Sequence, residues 1–544
     1  MAAAALGWHE QAIAGRNAEA VFSQNHFLEF HLMPDTLLAY DLGTGGNKAS
    51  LYDAEGRLIA SAFVPYDTQY PQAGWHEQRP EAWWESVVRS TRQLLADDAA
   101  DPSTIRGIAI SGHSLGCVPL DAAGRLLRDA TPIWSDKRPA TQAEQFFKRV
   151  DPTRWYRLTG NGFPAPHYTV FKILWYRDHE PEMFGRIHKI LGTKDYVNYR
   201  LTGRMATDPS YASGSGVYDL LGWDYADELL AAADLPRSLL PEIVPATEIL
   251  GGLTAGAAAA LGLPLGVPVA CGGVDNSCMA LGARNIAEGR LYASLGSSMW
   301  IAVSSHRPLL DDAAKPYVFT HVIPGMFTSA IGMFSAGTSL RWVRDQLCVN
   351  LAAQAHSEGR DAYDLMTELA EQSPPGSRKL LFNPSLAGGS SLDPSPQLRG
   401  AFLGLDLGHT QADVIRAALE GIALNARLML DALRSLGKVG HEMVVVGGGS
   451  RSRLWRQILA DALEIAVLKT NVGQEAGSLG AAAVAAVASG LWPDFSPIDQ
   501  VHQLESTAQP EPAGVGTYRQ LLPLFDEARQ TQSRLGERLA QLDR

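Results

Sequence analysis

Cysteine is scarce in this chain of 544 residues, and the four cysteines are dispersed. Cys117, Cys271, Cys278 and Cys348 show no CxxC spacing. The chain therefore gives no sign of a disulfide framework of the kind that stabilises small secreted domains. We expect reduced, buried thiols in a cytoplasmic protein.

Long apolar runs and clusters of basic residues are also missing. No run reaches the roughly 18 residues that suggest a membrane-spanning helix, and the alanine-rich segment 478–490, interrupted by glycine and serine, is predicted to be a packed helix. Lysine and arginine number 46 against 58 aspartates and glutamates, a formal net charge of −12. A basic nucleic-acid-binding surface is therefore excluded, and we expect neither a membrane nor a nucleic-acid partner.

Length and patterning indicate more than one domain of mixed α/β structure. The chain is too long for one core and should divide into at least two domains. From Leu37 onward, strand-like runs alternate with amphipathic helical stretches, which predicts α/β layers in both halves. Segment 383–399 is rich in proline, glycine and serine and is predicted to be a surface loop at the mouth of a cleft.

The two ends of the chain, 1–34 and 496–544, differ in pattern from the α/β region between them. Residues 1–34 lack the basic start and long apolar core of a secretory signal, so we expect a flexible extension there. The last part, 496–544, has a helical pattern and either packs back on the chain or forms a homodimer contact.

Small-residue turns occur twice in the same setting. DLGTGGNK at 41–48 and SLGSS at 294–298 each join two β-rich runs. Glycine lets backbone amides approach an anion closely, and threonine or serine adds a hydroxyl donor. Two such turns predict a duplicated scaffold that grips one polyphosphate from both sides, as a kinase or ATPase does. For the first turn alone, a plain β-hairpin is the alternative.

The first turn carries a candidate metal ligand and candidate phosphate contacts. Asp41 ends a buried strand, where a carboxylate can hold Mg²⁺ through water molecules. We expect the turn residues to contact terminal phosphates and the lysine of the next strand to neutralise them. These residues are Gly43, Thr44, Gly45 and Lys48.

A second candidate site follows the apolar strand in VACGGVDNSCMALGAR, 269–284. The strand end places Asp275 in the crevice beyond the sheet, where open α/β folds bind ligands. A carboxylate beside a substrate hydroxyl is what a sugar kinase needs as general base, and Asn276 can bond a neighbouring hydroxyl. The alternative is that Asp275 only caps the following helix.

The third candidate is the glycine turn in VVVGGGSRSRLWRQ, 444–457. Gly447 and Gly448 let the backbone lie flat against a nucleotide, and the helix that begins near Ser452 offers a positive dipole end. Gly337, in FSAGTSLRW, is a weaker candidate close to the phosphates. Tight strand-helix turns also use glycine for packing alone, which is the alternative here.

The order of these motifs resembles the FGGY carbohydrate kinases over about residues 35–492. The matching segments are DLGTGGNK, SGHS, WSDKR, TKDYVNYRLTG, GGVDNS, SLGSS, SAGTSLRW, GGGSRSRLWRQ and SLGAAAVAAV. Within the family, YPQAGWHEQRPEAWW at 70–84 is most similar to xylulokinases. The resemblance implies two actin-like, ribonuclease-H-like α/β domains that flank an ATP-binding cleft. It also implies ATP-dependent phosphorylation of a sugar with ATP and Mg²⁺.

The resemblance also implies boundaries and roles. A sugar-binding domain would span 35–285, a nucleotide-binding domain 286–495 and a helical tail 496–544. Gly296 and Ser297 fall on the second phosphate turn, and Asp275 falls on the catalytic base. A further set of residues would contact the sugar. Within this set, Asp136 is either a substrate contact or a structural partner. This set is His113, Ser114, Asp136, His167 and Asn276.

Two departures from the family weaken the sugar assignment. Many xylulokinases carry Gln-Met-His-Gly where this chain has HSLG at 113–116, so Leu115 replaces a sugar-binding histidine. Residues 387–391 read AGGSS in place of a Gly-Glu-Arg-Thr-Pro loop. We predict phosphorylation of D-xylulose. L-Xylulose, ribulose or erythritol are alternative substrates, and an actin-like ATPase or a silent sugar sensor are alternative functions.

Overall fold

The computed structural model describes residues 35–96 and 100–542. The extension expected at 1–34 lies outside the described residues. Two seven-stranded sheets organise the rest of the chain, and we refer to the parts built around them as the first and second lobes. None of the described helices is long and apolar enough to cross a membrane.

The sheet of the first lobe is centred on strand Thr36–Gly43. This strand pairs antiparallel with the next strand along the chain and parallel with Ile105–Gly112. The short strand Gly273–Val274 also pairs parallel with Ile105–Gly112. In spatial order the main strands are Ile249–Gly252, Pro268–Ala270, Ile105–Gly112, Thr36–Gly43, Gly46–Asp53 and Leu58–Pro65.

The sheet of the second lobe repeats this plan. Its central strand, Leu291–Leu295, pairs antiparallel with the following strand and parallel with Glu442–Val446. In spatial order the strands are Tyr317–Thr320, Phe327–Met333, Met299–Ser305, Leu291–Leu295, Glu442–Val446, Ala466–Thr470 and Leu504–Ala508. The two small-residue turns therefore occupy equivalent places, each directly after the central strand of its lobe.

Helices cover both faces of the first sheet, which explains the unbroken apolar run of strand Thr36–Gly43. Leu38 and Tyr40 pack in one core with helix Pro80–Leu95, while Leu37 and Ala39 pack in another with helix Ala476–Ala488. Since side chains alternate along a strand, Asp41 is directed to the face that carries helix Ala476–Ala488.

Two helices meet closely beneath the cleft. Helix Asp275–Gly282 and helix Ala476–Ala488 are in extensive contact. A methyl group on Gly282 would overlap the carbonyl oxygen of Ala476, and one on Gly480 would overlap that of Cys278. Glycine is therefore required at this crossing because the backbones themselves are in contact.

The other helices surround these layers. In the first lobe they include Ala140–Phe146, Pro152–Thr159, Thr169–His179, Thr193–Thr202, Asp227–Ala233 and Ala255–Leu261. In the second lobe they include Gly337–Trp342, Val349–Glu358, Ala362–Ala370, Gln411–Leu436 and Arg453–Leu463.

The C-terminal segment packs back on the second lobe. Helix Pro512–Ala540 contacts helix Arg453–Leu463 and buries Tyr518 and Phe525. It also holds the loop that was expected at the mouth of the cleft, since Arg529 pairs with Asp393 at 2.7 Å. The expectation of a surface loop was wrong near its C-terminal end, where Leu398 is fully buried.

Candidate active site

Asp41 lies at the end of the central strand of the first lobe. Its Oδ1 accepts a hydrogen bond from the Ser111 hydroxyl at 2.9 Å. On its other side the second helix of the crossing begins, and a methyl group on Gly477 would come within 2.8 Å of Asp41 Oδ2. Burial raises the pKa of Asp41, against the opposing effects of the Ser111 hydroxyl and the Lys48 ammonium.

Lys48 connects the first turn to the loop that precedes helix Ala476–Ala488. Its Nζ donates to the carbonyl oxygen of Gln474 at 3.1 Å and lies 4.0 Å from a carboxylate oxygen of Glu475. A Cβ built on Gly448 would lie 3.9 Å from the Gln474 side-chain nitrogen. Gln474 therefore joins the first turn to the third, a connection that sequence reasoning missed.

Asp275 is the first residue of its helix and is partly exposed. Its Oδ1 accepts the backbone amide of Asn276 at 2.8 Å. The capping position itself belongs to Val274, which makes no side-chain cap, so this bond to the first helical turn engages only one of the two carboxylate oxygens of Asp275. Burial, followed by the negative charge of Asp41, raises the pKa of Asp275 to about 7. The two carboxyl groups are thus electrostatically coupled.

A buried polar network fixes the backbone just before Asp275. The amide of Val274 donates to Ser210 Oγ at 3.0 Å, and the Ser210 hydroxyl in turn bonds Asp208. Lys194 lies 3.0 Å from Asp208 and 2.6 Å from Asp195 with no solvent exposure. The motif TKDYVNYRLTG carried two of these residues, but the sequence alone gave no sign that they support Asp275.

Two side chains of the first lobe hold the first turn by hydrogen bonds. Thr44 and Gly45 are exposed at its tip, while Gly43 is partly exposed. The Gln78 amide donates to the carbonyl oxygen of Thr44 at 2.7 Å, and the Trp134 indole donates to the Thr44 hydroxyl at 2.9 Å. These long-range braces hold the turn in place and were not apparent from the sequence.

The second turn rests on the start of helix Gly337–Trp342. Gly296 and Ser297 are exposed. The Gly337 amide donates to the Gly296 carbonyl at 3.0 Å, and the Thr338 amide donates to that of Ser297 at the same distance. A methyl group on Gly337 would overlap Gly296, so the structure brings these predicted phosphate residues together.

The third turn lies against the central strand of the second lobe. Gly447 has a φ of 92°, and a Cβ there would lie 2.8 Å from the carbonyl oxygen of Leu295. Gly448 is partly exposed. Ser452 Oγ accepts the Trp455 amide at 3.2 Å and so caps the following helix. A hydroxyl that accepts this bond can still donate its own proton, so both the side chain and the backbone of Ser452 remain candidates for a nucleotide contact.

Two residues predicted on the substrate side are buried and have partners within the protein. His113 is 1% exposed, lies edge-on to Trp83 and has Nδ1 3.3 Å from the Thr193 hydroxyl. Asp136 is fully buried and takes bonds from the backbone amide of His76 and from Arg138. The burial of both side chains argues against direct contact with a sugar. For Asp136 this favours the structural alternative.

His167 keeps a geometry suited to a hydroxyl group. Its Nδ1 lies 2.8 Å from the carbonyl oxygen of Trp134, and because a carbonyl only accepts, Nδ1 carries the proton. Nε2 is then an acceptor. Burial lowers the pKa of His167 to about 4, so the ring is neutral at pH 7. Ser114 and Asn276 are partly exposed and also remain substrate candidates.

Leu115 shows how the departure from the family motif is accommodated. Its φ is 62°, and its side chain is 4% exposed within a core of the first lobe. The fully buried Lys172 donates to its carbonyl oxygen at 2.7 Å, which compensates for a conformation that is unusual outside glycine. The leucine side chain is therefore packed in the core instead of facing a sugar.

Comparison with known proteins agrees with this architecture. Models of the FGGY family of carbohydrate kinases match the chain, the N-terminal domain at 36–282 and the C-terminal domain at 291–489. A xylulose kinase of Escherichia coli strain K12 is 32% identical, with 90% of this chain and 99% of that protein covered.

Two solved structures from Lactobacillus acidophilus are similar over nearly their whole length. A ligand-bound xylulose kinase has a TM-score of 0.83 at 26% identity, with 91% of this chain and 98% of that chain covered. A gluconate kinase has a TM-score of 0.82 at 25% identity, with 92% and 98% covered. The expected fold of two actin-like α/β domains is confirmed. The chain belongs to the FGGY family of carbohydrate kinases.

Proposed function

We propose that the protein transfers the γ-phosphoryl group of ATP to D-xylulose, giving D-xylulose 5-phosphate, with Asp275 as general base. One observation carries the assignment of the base. Asp275 directly follows a strand of the first lobe, and burial, followed by the negative charge of Asp41, raises its pKa to about 7. A carboxyl group with this pKa accepts a proton more readily than an ordinary aspartate does.

Asp275 would act on the hydroxyl that receives the phosphoryl group. As the hydroxyl oxygen attacks the γ-phosphorus in line, its proton passes to the carboxylate of Asp275, and ADP leaves. The chain contributes little covalent chemistry beyond this transfer. Its main tasks are to position the reactants and to exclude water, since an open cleft would let ATP be hydrolysed.

The three glycine turns would bind the nucleotide. The first and second turns present exposed backbone and hydroxyl groups at Thr44 and Ser297, which suits terminal phosphates. The third turn, at Gly447 and Gly448, would lie along the nucleotide, and residues 286–495 would form the nucleotide-binding domain facing a sugar-binding domain at 35–285.

Asp41 fits a magnesium ion. Its carboxylate is partly exposed, and the Ser111 hydroxyl engages Oδ1 alone. One carboxylate suits Mg²⁺, which keeps several water molecules and takes its other ligands from substrate phosphates. When bound, the ion neutralises charge on the phosphates. Lys48, 4.0 Å from Glu475, would hold the loop beside this position.

The assignment of the sugar rests on the relatives named above. The xylulose kinases support a ketopentose, whereas the gluconate kinase makes gluconate a second candidate. In the site, His167 Nε2, Ser114 and Asn276 are the groups available to hydroxyls.

A substrate panel tests the proposal. ADP release with Mg²⁺ and ATP would be measured for D-xylulose, L-xylulose, D-ribulose, erythritol and D-gluconate. We expect kcat/KM to be highest for D-xylulose, with a phosphate on its terminal hydroxyl. A higher value for another compound would overturn the substrate but keep the chemistry. ADP release that does not need a sugar would indicate an ATPase, and no release would indicate a sensor.

The rate should depend on pH through Asp275. Below its pKa the carboxyl is protonated and cannot accept a proton, so kcat/KM for the sugar should rise with pH through about 7. Asp41→Asn removes a charge that raises this pKa, so the acid limb of its residual activity should move to lower pH. The exposed Asp129→Asn provides a matched control. An acid limb near the ordinary carboxyl pKa of about 4, or one that Asp41→Asn leaves in place, would contradict the assignment.

A further inference from the structure

A cavity of about 800 Å³ lies in the second lobe, and none of the residues assigned to the cleft lines it. Its walls come from residues 371–375, helix Gln411–Leu436, helix Arg453–Leu463, strand Leu504–Ala508 and the start of helix Pro512–Ala540. This volume is within the roughly 300–1,000 Å³ typical of small-molecule sites. The cavity is therefore large enough for a phosphorylated metabolite.

Two arginines on helix Arg453–Leu463, Arg453 and Arg456, line the cavity with positive charge. Arg456 is only 7% exposed. Its partners in the described part of the chain are neutral, namely the carbonyl oxygens of Ser450 and Arg451 and the hydroxyl of Ser506 at 3.2 Å. Burial and the neighbouring charge of Arg453 lower the pKa of Arg456. A buried guanidinium without an anion is costly, and an anionic ligand would relieve that cost.

The other charged side chains that line the cavity either have hydrogen-bond or ion-pair partners within the protein or are exposed to solvent. Arg416 pairs with Glu420 at 2.8 Å. Asp461 accepts the side-chain amide of Gln457 and the backbone amide of Glu511, both at 2.8 Å, and burial raises its pKa. The exposed carboxylates in the lining are Glu371 and Glu511.

We propose that this cavity binds a small phosphate ester, with its phosphate held by Arg453 and Arg456, and that binding changes the affinity for the nucleotide. Arginine suits this role because its forked donors match phosphate oxygens. Free inorganic phosphate presents the same chemistry without filling the cavity.

Arg456 supplies the physical link between the cavity and the cleft. Its guanidinium donates to the carbonyl oxygens of Ser450 and Arg451, which belong to the turn Gly448–Arg451 that follows Gly447. A ligand that accepts hydrogen bonds from Arg456 competes with these two carbonyl oxygens and so weakens the bonds that hold the turn. The coupling, but not the binding, rests on the proposed nucleotide role of the turn. By linkage, nucleotide and ligand must affect each other's affinity equally.

Calorimetric titration tests the binding directly. The full-length protein would first be titrated with MgADP and then, saturated with it, with inorganic phosphate and with glucose 6-phosphate. Saturation occupies the ADP position, and binding that remains in the cleft is recognised because Arg453→Gln does not weaken it. We expect glucose 6-phosphate to bind, Arg453→Gln to weaken binding at least tenfold and Arg186→Gln to leave it unchanged. Arg453 and Arg186 are both exposed, so neither change should prevent folding.

The coupling has a separate readout. With D-xylulose and ATP, we expect glucose 6-phosphate to change the KM for ATP severalfold in the unaltered protein and in Arg186→Gln, but not in Arg453→Gln. Failure of both phosphates to bind, or equal binding by Arg453→Gln, would overturn the site. Stronger binding of inorganic phosphate would overturn the phosphate ester as its ligand. Binding that leaves the KM for ATP unchanged would overturn the coupling. Absence of MgADP binding would instead count against the proposed function.

Discussion

Replacing Asp275 by asparagine is expected to lower kcat by about 10³-fold while ATP binding survives, since general-base catalysis typically contributes 10²–10⁴-fold. The amide has nearly the shape of the carboxylate but cannot accept the proton of the sugar hydroxyl. The nucleotide contacts proposed at the three turns do not involve this side chain. Steady-state ADP release and equilibrium titration with MgATP would measure the two effects.

Thermal stability provides the control for this variant. A carboxyl whose pKa is raised in the folded protein costs stability as pH rises from about 4 toward about 7. Asparagine avoids that cost, so the Tm of Asp275→Asn should equal or exceed that of the unaltered protein, and the difference should grow between pH 5 and pH 8. Loss of activity with a lowered Tm at pH 8, or normal turnover, would contradict the assigned role.

Asp275→Glu refines the test. The variant keeps a carboxylate but moves it by about one methylene, and misplacement by about 1 Å can cost 10²-fold in rate. We expect a loss smaller than that of asparagine and a retained acid limb in the pH profile. Equal loss in both variants would indicate that Asp275 is needed for shape and not for proton transfer.

The sequence was most informative where function requires backbone geometry. Asp41 and Asp275 lie where apolar strands end, and the carboxyl ends of parallel strands in one sheet meet at one edge. The small residues Gly296, Ser297 and Gly337 were predicted to lie near the phosphates, and the structure brings them together at one turn. In these places local pattern and tertiary position agree, because a turn that leaves a buried strand has few directions available to it.

The residues that support the site could not be found in the same way. Gln78, Trp134 and Ser210 act through bonds to residues that are distant in the chain. His113 and Asp136 looked suitable for a sugar by residue type, yet both are buried among structural partners. Burial of a polar side chain depends on what packs around it, and local spacing does not record that.

The crossing of helices Asp275–Gly282 and Ala476–Ala488 positions the two carboxyl groups of the site. One helix begins with Asp275, and the other begins beside Asp41 Oδ2 at Gly477. The Tyr52 hydroxyl, on the first sheet, also lies 2.7 Å from that of Ser478. The separation of the two carboxyl groups thus depends on how closely these helices approach.

Gly480→Ala is therefore expected to damage both stability and activity. Its methyl group would overlap the backbone oxygen of Cys278, which cannot move aside as a side chain can. Overpacking typically costs about 1–3 kcal/mol, and the gain of about 1 kcal/mol in helix propensity does not offset the upper part of that range. Spreading the helices would displace Asp275 from Asp41. We expect a lowered Tm and kcat reduced at least tenfold.

Gly256→Ala is the matched control for this change. Gly256 lies in helix Ala255–Leu261, and a methyl group there meets nothing within 4 Å. The same substitution should therefore leave kcat unaltered and hold or raise the Tm, because alanine favours a helix more than glycine does. Thermal unfolding and ADP release measured side by side separate backbone contact from helix propensity. If Gly480→Ala behaves as Gly256→Ala does, the close crossing does not set the geometry of the two carboxyl groups.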